Sequence, residues 1–546
     1  MWKRLAAAAA SGATLAQRRP ALAAVGLGLI GACAYPPLHL WPLGLAALAG
    51  FVWLIHSADN WRHAAARGWL FGWAHLALAN NWIATAFTHQ AKMPEFLGWL
   101  AVPLLCIYLA WYPALAALAA HGLARKRPLW AFGLVLAGAW IVTEWLRGWV
   151  FTGYPWPPVG LMLLGTWDTP GMARLLPFTG TYALSGLALL IAAMLLAALA
   201  SRRWLISAGG ALALTALMVA PSLHVEVTQP ADPVEYTLVQ PHIPQSEIND
   251  GSKFEEQFAR LTRLTAPGQN QSRIVLWPES AVPDYLEEGY PDRYYFQMTA
   301  GGDPVLARKR IGKVIGPQST LLTGVVNLNI GVRPDGIPAA VSARNSVMAI
   351  DGAGAIVGGY DKAHLVPYGE YLPMRPILEP LGLSRLVAGS IDYLPGPGPR
   401  TLDLGEHGKA GVMICYEIVF SGAVADRTNR PDYIFNPSND GWFGWWGPPQ
   451  HLAQARMRAL EEGLPVLRST TTGISAVIDA DGVVRSHIGM GKADKLEGLV
   501  PAAKAPTLFA QWGHALTLAW AALLIALGLA QRWLGPRVLA LTRARG

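Results

Sequence analysis

The sequence predicts an α+β protein that combines a helical membrane domain of about eight helices with one large layered domain outside the membrane. Three observations predict this class. Apolar residues make up 53% of the 546 residues and charged residues only 14%, whereas soluble domains usually carry about 25% charged residues. The charge deficit is confined to residues from about 20 to 221 and to a last apolar stretch. Residues 222–510 have the composition of a soluble domain, with strand-like and helix-like segments in alternation.

Eight apolar segments are predicted to cross a membrane, because most of them reach the ~20 residues that a hydrocarbon core requires. They lie near residues 21–34, 38–56, 68–87, 97–122, 129–149, 179–200, 204–221 and 511–531. The predicted domains are therefore a membrane domain with seven helices in 1–221, an extramembrane domain in 222–510, and an eighth helix with a tail in 511–546.

The lysine and arginine residues predict the orientation of these spans. Basic residues precede the first span and follow the second, fourth, sixth and eighth: Lys3, Arg4, Arg18, Arg19, Arg62, Arg67, Arg125, Lys126, Arg127, Arg202, Arg203, Arg532, Arg537, Arg543 and Arg545. The opposite short loops hold only Lys92, Arg147 and Arg174. Since loops rich in lysine and arginine stay in the cytoplasm, both termini are expected there and the 222–510 domain on the outer face.

The net charge of +8 does not indicate nucleic-acid binding, because the basic clusters of the membrane topology already account for it. No nucleic-acid partner is expected. One further basic run, Arg308-Lys309-Arg310 with Lys313, lies in the 222–510 domain. We expect a solvated helix face there; contact with anionic lipid headgroups is the alternative.

The three cysteines have different expected roles. Cys33 and Cys106 fall inside predicted spans and are expected to pack as small apolar residues. Cys415 is the single cysteine of the outer domain, so it cannot form a disulfide within that domain. An unpaired thiol in an oxidising compartment favours a chemical role over a structural one.

Eight short β-rich runs predict the strands of the outer domain. They are Tyr236–Val239, Ile274–Trp277, Thr320–Gly324, Asn345–Ile350, Gly411–Ile414, Tyr433–Asn436, Val466–Ser469 and Ser475–Ile478. The segments Lys253–Thr265 and His451–Glu462 are predicted to be helices. Such alternation is typical of an α/β or α+β layered domain in which helices cover buried sheet.

Three chemically suited residues follow strand-like segments, where loops usually carry active residues. Glu279 follows Ile274–Trp277 and Cys415 closes Gly411–Ile414. Lys362 follows the segment Ile356–Tyr360, which is not among the eight predicted strands. A free thiol has a pKa of about 8.5, so a nucleophilic cysteine needs a base for its proton and a cation beside the charge that forms. Taken singly, Glu279 is equally well explained as a surface carboxylate and Lys362 is better explained as a solvated residue. Their combination with a lone cysteine predicts a catalytic site.

The three patches resemble the Glu-Lys-Cys motifs of the nitrilase superfamily, and the wider sequence resembles the apolipoprotein N-acyltransferases of bacteria. The matching stretches are Trp277–Pro283, Tyr360–Pro373, Cys415–Glu417, Asn436–Gly444 and Gln450–Glu461. With the spans included, the resemblance covers the whole chain. It implies that the outer domain is a nitrilase-like α-β-β-α sandwich. It also implies a multi-pass enzyme of the bacterial inner membrane with its catalytic domain in the periplasm.

The resemblance implies an acyltransferase reaction without a cofactor, and the sequence lacks the ligand spacing of a metal site. Cys415 would take an acyl chain from a membrane phospholipid as a thioester. The N-terminal amine of a diacylglyceryl-cysteine apolipoprotein would then take the chain, in a ping-pong route. Glu279 would accept protons, and Lys362 would stabilise the oxyanion and the thiolate. The expected partners are the phospholipid donor and the apolipoprotein acceptor, and a monomer is expected.

Further residues are expected to support this site. In the family's pattern, Glu370 orients or neutralises Lys362; a hydrogen bond that closes its loop is the alternative. Tyr416 and Glu417, beside the nucleophile, are expected either to line the acyl pocket or to shape the backbone near the thiol.

The sequence leaves two alternative roles for each of two further features, one aromatic and one polar. Four glycine-flanked aromatic residues are Trp442, Phe443, Trp445 and Trp446. They form either a mobile loop that dips into the membrane interface, which such side chains prefer, or a packed cluster in the domain core. Glu144 lies in a predicted span, where a carboxylate is costly and marks a functional candidate, but pairing with Arg147 for packing explains it equally well.

Two other functions are compatible with parts of the sequence. A membrane-anchored amidohydrolase of the nitrilase type would use the same three residues, but a small polar substrate gives no reason for eight spans and an aromatic loop. A transporter or assembly scaffold would not need Cys415, so Cys415→Ala would leave it working.

Overall fold

The computed structural model describes residues 17–89, 94–221, 233–382, 385–386 and 391–543, with side chains described as far as residue 531. The chain divides into two compact units. The first, here called the helical unit, comprises Met1–Asn81, Trp99–Pro221 and Trp512–Gly546. The second, here called the sheet unit, comprises Trp82–Gly98 and Ser222–Gln511.

The helical unit is built from apolar helices. Their bounds are Pro20–Ala32, Trp41–His56, Trp61–Ala79, Leu97–Leu109, Trp111–Ala124, Leu129–Arg147, Leu176–Thr179, Thr181–Ala200, Trp204–Val219 and His514–Arg543. Among the described residues, four helical stretches are long and apolar enough to cross a membrane: Leu97–Ala124, Leu129–Arg147, Thr181–Ala200 and His514–Gln531. Three further apolar helices are shorter: Pro20–Ala32, Trp41–His56 and Trp204–Val219. The number of spans stays a prediction.

Glycine allows two of these helices to pack closely. A Cβ atom at Gly68, in helix Trp61–Ala79, would lie 2.8 Å from the Ala117 Cβ atom, and one at Gly72 would lie 2.6 Å from Pro113. Both neighbours belong to helix Trp111–Ala124. Small residues at helix contacts are the usual means of close packing in membranes, where the hydrophobic effect does not drive helices together.

The sheet unit contains two sheets of six strands each. In chain order the strands are β1 Glu235–Gln240, β2 Ile274–Leu276, β3 Thr320–Val332, β4 Pro338–Asp351, β5 Ile356–Asp361, β6 Thr401–Asp403, β7 Lys409–Val412, β8 Tyr433–Ser438, β9 Val466–Thr470, β10 Ser475–Ile478, β11 Val484–Ile488 and β12 Asp494–Leu499. The first sheet has the order β12-β1-β2-β3-β4-β5 and the second β11-β10-β9-β8-β7-β6. In each sheet three neighbouring strands, β1 to β3 and β7 to β9, run parallel.

Helices cover both sheets of this unit. Its α-helices are Ile83–Ala86, Phe254–Thr265, Asp292–Met298, Pro304–Ile315, Arg375–Leu378 and Gly447–Glu462, followed by Leu508–Trp512 at its end. The core of the first sheet is formed by buried residues of β1 to β4 together with helix residues such as Leu261 and Ile311. Helix Gly447–Glu462 packs on β9 and β10 of the second sheet. The predicted α+β class, with a helical part and a nitrilase-like domain of two sheets, is confirmed.

Hydrogen bonds from buried side chains join the two sheets. Gln240 Oε1, at the end of β1, accepts from Thr470 Oγ1 at 2.9 Å and from the Ser475 N–H at 3.1 Å. Ser469 Oγ donates to the Val239 carbonyl at 2.7 Å. Because the polar groups in this contact are paired with one another, they fix the register of one sheet on the other.

The basic run at Arg308 is not a solvated face throughout. The run lies on helix Pro304–Ile315, and Arg308 is 7% exposed. Arg308 Nε donates to the Gly354 carbonyl at 3.0 Å, and Nη2 lies 2.6 Å from Glu288 Oε1. The expectation of a solvated helix face is therefore wrong for Arg308, which fastens two loops to the helix.

Candidate active site

The ends of three strands bring Glu279, Lys362 and Cys415 into one buried site. Glu279 follows β2, Lys362 follows β5, and Cys415 opens a short 3-10 helix after β7. Lys362 Nζ lies 3.7 Å from Glu279 Oε1. The Cys415 thiol is close enough to both side chains for their charges to act on its ionisation. Exposed fractions of 6%, 1% and 6% show that all three are withdrawn from water.

Glu370 completes a pair of carboxylates around the Lys362 ammonium. Lys362 Nζ donates to Glu370 Oε1 at 3.0 Å. Glu370 Oε2 accepts from the Val366 N–H at 2.7 Å. Both roles considered for Glu370 are therefore present, since the same carboxylate holds the ammonium and closes the loop that carries it.

Asn345 is a site residue that the sequence did not single out. It lies in β4, and its Nδ2 donates to Glu279 Oε1 at 2.7 Å and to Glu370 Oε1 at 2.8 Å. The second oxygen of Glu279 accepts from the Asn439 N–H at 2.7 Å. Glu279 is thus fixed through both carboxylate oxygens. Asn345 opens a run predicted to be a strand, and no motif distinguishes it from other polar strand residues.

Strained backbone positions present these groups. Cys415 has a φ of 50° and Ser280, directly after Glu279, has a φ of 55°. Non-glycine residues seldom adopt these values, which cost about 1–3 kcal/mol and persist where the surroundings impose them. Beneath the Glu279 loop, a Cβ atom at Gly324 would lie 2.6 Å from the Glu279 Cα atom. Glycine at this point of β3 lets the loop lie directly on the strand.

The charges of the site keep Lys362 protonated and Cys415 neutral. Burial alone would lower the pKa of Lys362, but Glu370 and Glu279 outweigh burial and raise it. Burial raises the pKa of the Cys415 thiol well above its usual value, and the charge of Glu279 adds to this, whereas Lys362 opposes it. A raised thiol pKa disfavours a preformed thiolate at this position.

Glu417 connects the lysine loop to the turn that carries the nucleophile. Its Oε1 accepts from Tyr360 Oη at 2.8 Å, Ala363 N at 2.7 Å and His364 N at 3.1 Å, and its Oε2 accepts from Ile414 N at 2.8 Å. Burial raises the pKa of Glu417 to about 7, although these hydrogen bonds favour the charged form. Of the two roles considered for Glu417, the contacts match shaping of the backbone. Tyr416 is buried, with its ring edge-on to Phe420 at 5.1 Å.

A buried polar chain holds the Cys415 carbonyl. His451 Nε2 lies 3.1 Å from the Cys415 carbonyl oxygen, and His451 Nδ1 lies 3.0 Å from Asp440 Oδ1. Arg468 Nη2 donates to both Asp440 oxygens, at 2.8 and 2.7 Å. Burial lowers the pKa of His451 and the Arg468 charge lowers it further, whereas Asp440 opposes both. Because a carbonyl can only accept, the proton is on Nε2.

The aromatic residues after β8 divide between packed and exposed positions. The Phe443 ring is 4.6 Å from that of Trp82 and 5.6 Å from that of His451. Trp442 meets His89 at 5.9 Å. Trp445 is 62% exposed, and its ring lies 5.2 Å from that of Trp446. Phe443 is therefore part of a packed cluster, while Trp445 presents an apolar surface outward.

Glu144 holds a loop within the helical unit. Glu144 Oε1 accepts from the Val159 N–H at 2.9 Å and lies 3.5 Å from Arg147 Nη2. Arg147 donates to the Trp156 and Pro157 carbonyls at 3.3 and 2.9 Å. These contacts match the packing role rather than a catalytic one.

The arrangement has the parts that acyl transfer requires. Cys415 is a thiol, Glu279 a carboxylate near it and Lys362 a buried ammonium, and these residue types can serve as nucleophile, base and oxyanion partner. A covalent acyl-cysteine is the intermediate that such a set of residues can form.

Comparison with family models agrees with the division into two parts. Residues 27–194 match the model described as the apolipoprotein N-acyltransferase N-terminal domain. Residues 237–493 match the model described as carbon-nitrogen hydrolase.

Curated relatives match the chain over most of its length. Similar proteins are apolipoprotein N-acyltransferases of Rhodopseudomonas palustris, 33% identical over 89% of this chain and 90% of the relative, and of Bradyrhizobium diazoefficiens, 33% identical over 94% of this chain and 95% of the relative. The enzyme of Caulobacter vibrioides is 33% identical over 92% of both chains.

Solved structures match the chain over about half its length. A mutant of the amidase from Nesterenkonia sp. AN1 matches with 16% identity and a TM-score of 0.33, over 50% of this chain and 94% of the amidase. Nit3 of Saccharomyces cerevisiae, a member of the nitrilase superfamily, matches with 17% identity and a TM-score of 0.34, over 50% of this chain and 90% of Nit3.

Proposed function

The chain belongs to the apolipoprotein N-acyltransferase family, and we propose that it moves an acyl chain from a membrane phospholipid to the N-terminal amine of a diacylglyceryl-cysteine apolipoprotein by way of Cys415. Membership of the family makes the protein an acyltransferase of lipoprotein maturation and a bacterial membrane protein. The observation that carries the finer proposal is the buried group of Glu279, Lys362 and Glu370 beside the Cys415 thiol.

In the first half of the proposed reaction, the Cys415 sulfur attacks an ester carbonyl of the phospholipid. Glu279 takes the thiol proton as the carbon–sulfur bond forms. The Lys362 ammonium stabilises the oxyanion, a contribution that one well-placed donor makes worth about 3 kcal/mol. When the tetrahedral intermediate collapses, the ester carbon–oxygen bond breaks and Glu279 returns the proton to the lysophospholipid oxygen.

In the second half, the α-amine of the apolipoprotein attacks the thioester. A carbon–nitrogen bond forms, the carbon–sulfur bond breaks, and Glu279 passes a proton from the amine to the departing sulfur. The products are the N-acylated lipoprotein and the free thiol. Lys362 stabilises the oxyanion again, so both half-reactions use the same three residues in the same roles.

The proton route of this mechanism follows from the charge of the site. Two carboxyl groups, those of Glu279 and Glu370, already lie beside the single Lys362 ammonium. A free thiolate would add a further negative charge in a buried place, which is costly. Transfer of the thiol proton to Glu279 during attack keeps the charge constant, and the new negative charge appears on the substrate oxygen beside Lys362.

Transfer to an amine requires that water is kept from the thioester. Cys415 is 6% exposed, which limits access of water to the acylated sulfur. We propose that the site lies on the periplasmic face of the bacterial inner membrane, with both chain termini in the cytoplasm, because the lysine and arginine clusters lie on the side of the termini. The enzyme is proposed to act as a monomer and without a cofactor.

Mass spectrometry of the full-length protein tests the proposal. After incubation with phosphatidylglycerol in detergent, the mass of the peptide containing Cys415 should increase by one acyl chain. When a diacylated lipopeptide is added, the Cys415 peptide should lose this acyl mass and the lipopeptide should gain it. Buffer without the lipopeptide should leave the acyl mass on Cys415. Absence of the increment from the wild-type protein, or its presence in Cys415→Ala, would contradict the proposal. The variant Glu406→Gln, at an exposed residue, is the control for purification and incubation and should be acylated like the wild type.

A further inference from the structure

Arg385 is a buried cation whose two terminal nitrogens have no partner among the described residues. Its side chain is 7% exposed. Both terminal nitrogens, Nη1 and Nη2, are shielded from solvent and have no hydrogen-bond partner within the described part of the chain. The acid paired with it is Asp392, whose Oδ1 lies 3.5 Å from Arg385 Nε, beyond the usual length of such a hydrogen bond.

Asp392 is already engaged by a second guanidinium. Arg375 Nη2 lies 2.6 and 2.5 Å from the two Asp392 oxygens. Arg375 also has Glu379 Oε1 3.4 Å from its Nη1, whereas the ion pair of Arg385 is with Asp392 alone among the described residues. Unpaired buried N–H groups and buried charges are costly. Since native proteins pair nearly all such groups, the exception indicates a ligand that completes the site.

Arg385 borders the proposed catalytic pocket. Its neighbour Leu386 donates through N–H to the Tyr368 carbonyl at 2.9 Å, and the Tyr393 N–H donates to the Glu370 carbonyl at 3.4 Å. The backbone around Arg385 is thus tied to the loop that carries Glu370. The Tyr393 phenol is close enough to Glu370 and to Arg385 for both charges to act on it. Burial raises the pKa of Tyr393 to about 12, the Glu370 charge raises it further, and the Arg385 charge lowers it.

We propose that Arg385 binds the phosphate group of the donor phospholipid, an inference that rests on the proposed function. A guanidinium suits a phosphate because its planar fork donates two parallel hydrogen bonds to two oxygens. The phosphate and the ester that Cys415 attacks belong to the same glycerol, so a phosphate site has to border the catalytic pocket. The diacylglyceryl cysteine of the acceptor carries no phosphate, so Arg385 distinguishes the donor from the acceptor.

The test compares two acyl donors with the same fatty chain, phosphatidylglycerol and a p-nitrophenyl ester, on the full-length protein in detergent micelles. Arg385→Gln should raise the KM for phosphatidylglycerol roughly tenfold to a hundredfold, as for loss of a charge-assisted hydrogen bond. The kcat should change little, because the phosphate stays bound through the reaction. Acylation of Cys415 by the nitrophenyl ester should be unchanged. Arg385→Lys, which keeps the charge without the fork, should restore part of the KM.

Controls separate the possible outcomes. Arg333→Gln removes an exposed cation from the β3–β4 turn and should affect neither donor. If Arg385→Gln lowered the reaction rate equally with both donors, or with neither, the phosphate site would be overturned. Inhibition of the nitrophenyl reaction by inorganic phosphate, without any preference for phosphatidylglycerol, would identify free phosphate as the ligand and overturn it as well. A wild-type protein that reacts with the nitrophenyl ester alone would instead overturn the proposed function, and the assignment with it.

Discussion

The Cys415 thiol is disfavoured as a thiolate by its burial and by the negative charge beside it. Two carboxylates, Glu279 and Glu370, share one ammonium at 3.7 and 3.0 Å. The thiol pKa is raised by burial and by Glu279. In the proposed mechanism, reactivity therefore depends on a base that takes the proton in the transition state, and not on a low thiol pKa.

Replacement of the base should reveal the raised thiol pKa as a pH dependence. In Glu279→Gln only the thiolate can react, so we expect acylation to fall about 10²- to 10⁴-fold at pH 7. Burial, the largest cause of the raised Cys415 pKa, persists in this variant, so the thiolate fraction should rise about tenfold per pH unit between pH 7 and 9. The wild-type rate should rise far less. Stopped-flow bursts with a p-nitrophenyl ester measure both, and equally flat profiles would contradict the role of Glu279.

Asn345 positions both carboxylates, so a charge in its place should disturb the site. Asn345→Asp keeps the shape but sets a third carboxylate at 2.7–2.8 Å from two others. We expect kcat to fall about 10- to 100-fold at pH 8, with partial recovery near pH 5.5, where a protonated carboxyl can donate again. Asn329→Asp, on the neighbouring strand β3, is the matched control and should keep its activity. A pH-independent loss would indicate misfolding instead.

The contrast between Asn345 and Cys415 shows what the sequence can reveal about single residues. Glu279, Lys362 and Cys415 are predicted from the sequence because a carboxylate, an ammonium and a lone thiol each follow a short apolar segment. Asn345 acts through two hydrogen bonds to residues 66 and 25 positions away in sequence. Such a contact depends on tertiary structure, and an asparagine in a strand has no local signal of it. The same holds for His451, whose role is to bind the Cys415 carbonyl.

Among elements, the predicted and unpredicted strands differ by their place in the sheets. The eight predicted strands overlap β1 to β4 and β7 to β10, which are the inner strands. The remaining strands, β5, β6, β11 and β12, form the four edges of the two sheets. Edge strand β12 is exposed or half-buried at every residue. Without a buried face there is no apolar run or alternation, so composition alone does not identify an edge strand.

Strand β3 supports the Glu279 loop, and Gly324 is the point of closest approach. Gly324→Ala would place a Cβ atom 2.6 Å from the Glu279 Cα atom and 2.6 Å from the Ser280 nitrogen. These are backbone atoms and cannot turn aside, so the loop has to move. We expect a loss of about 1–3 kcal/mol in the free energy of unfolding and at least a tenfold lower kcat, because small displacements of a catalytic base are costly.

Gly358→Ala is the matched control for this change. Gly358 lies in β5, and an added Cβ atom there would have ordinary contacts of 3.7 Å with Ala349 and 3.8 Å with Leu402. Denaturant unfolding and steady-state kinetics should leave Gly358→Ala close to the wild type. Equal effects of the two substitutions would show that the close approach at Gly324 does not set the position of Glu279.

For the whole molecule, composition alone separated the apolar part of the chain from the layered part. The alternation of strand-like and helix-like segments predicts the layered structure of residues 233–511. The sequence does not predict that each sheet has three parallel strands flanked by antiparallel ones. The segment Trp82–Gly98 belongs to the sheet unit, although it lies between helices of the helical unit. Its Trp82 packs on Phe443 at 4.6 Å. The contact between Trp82 and Phe443 depends on tertiary packing and leaves no signal in the sequence. A prediction of membrane spans therefore groups the segment with the helices that flank it in sequence.

The orientation in the membrane is the last property that the charge pattern predicts. In a background of Cys33→Ala, Cys106→Ala and Cys415→Ala, single cysteines can report which side a loop occupies. Asp335→Cys lies in the exposed β3–β4 turn and should react with a membrane-impermeant maleimide in intact spheroplasts. Ser201→Cys lies beside Arg202 and Arg203, which are expected to stay in the cytoplasm, and should react only after lysis. The reverse labelling pattern would place the sheet unit in the cytoplasm. The site would then face the cytoplasm, whereas the proposed acceptor is an apolipoprotein on the periplasmic face. That acceptor would be excluded.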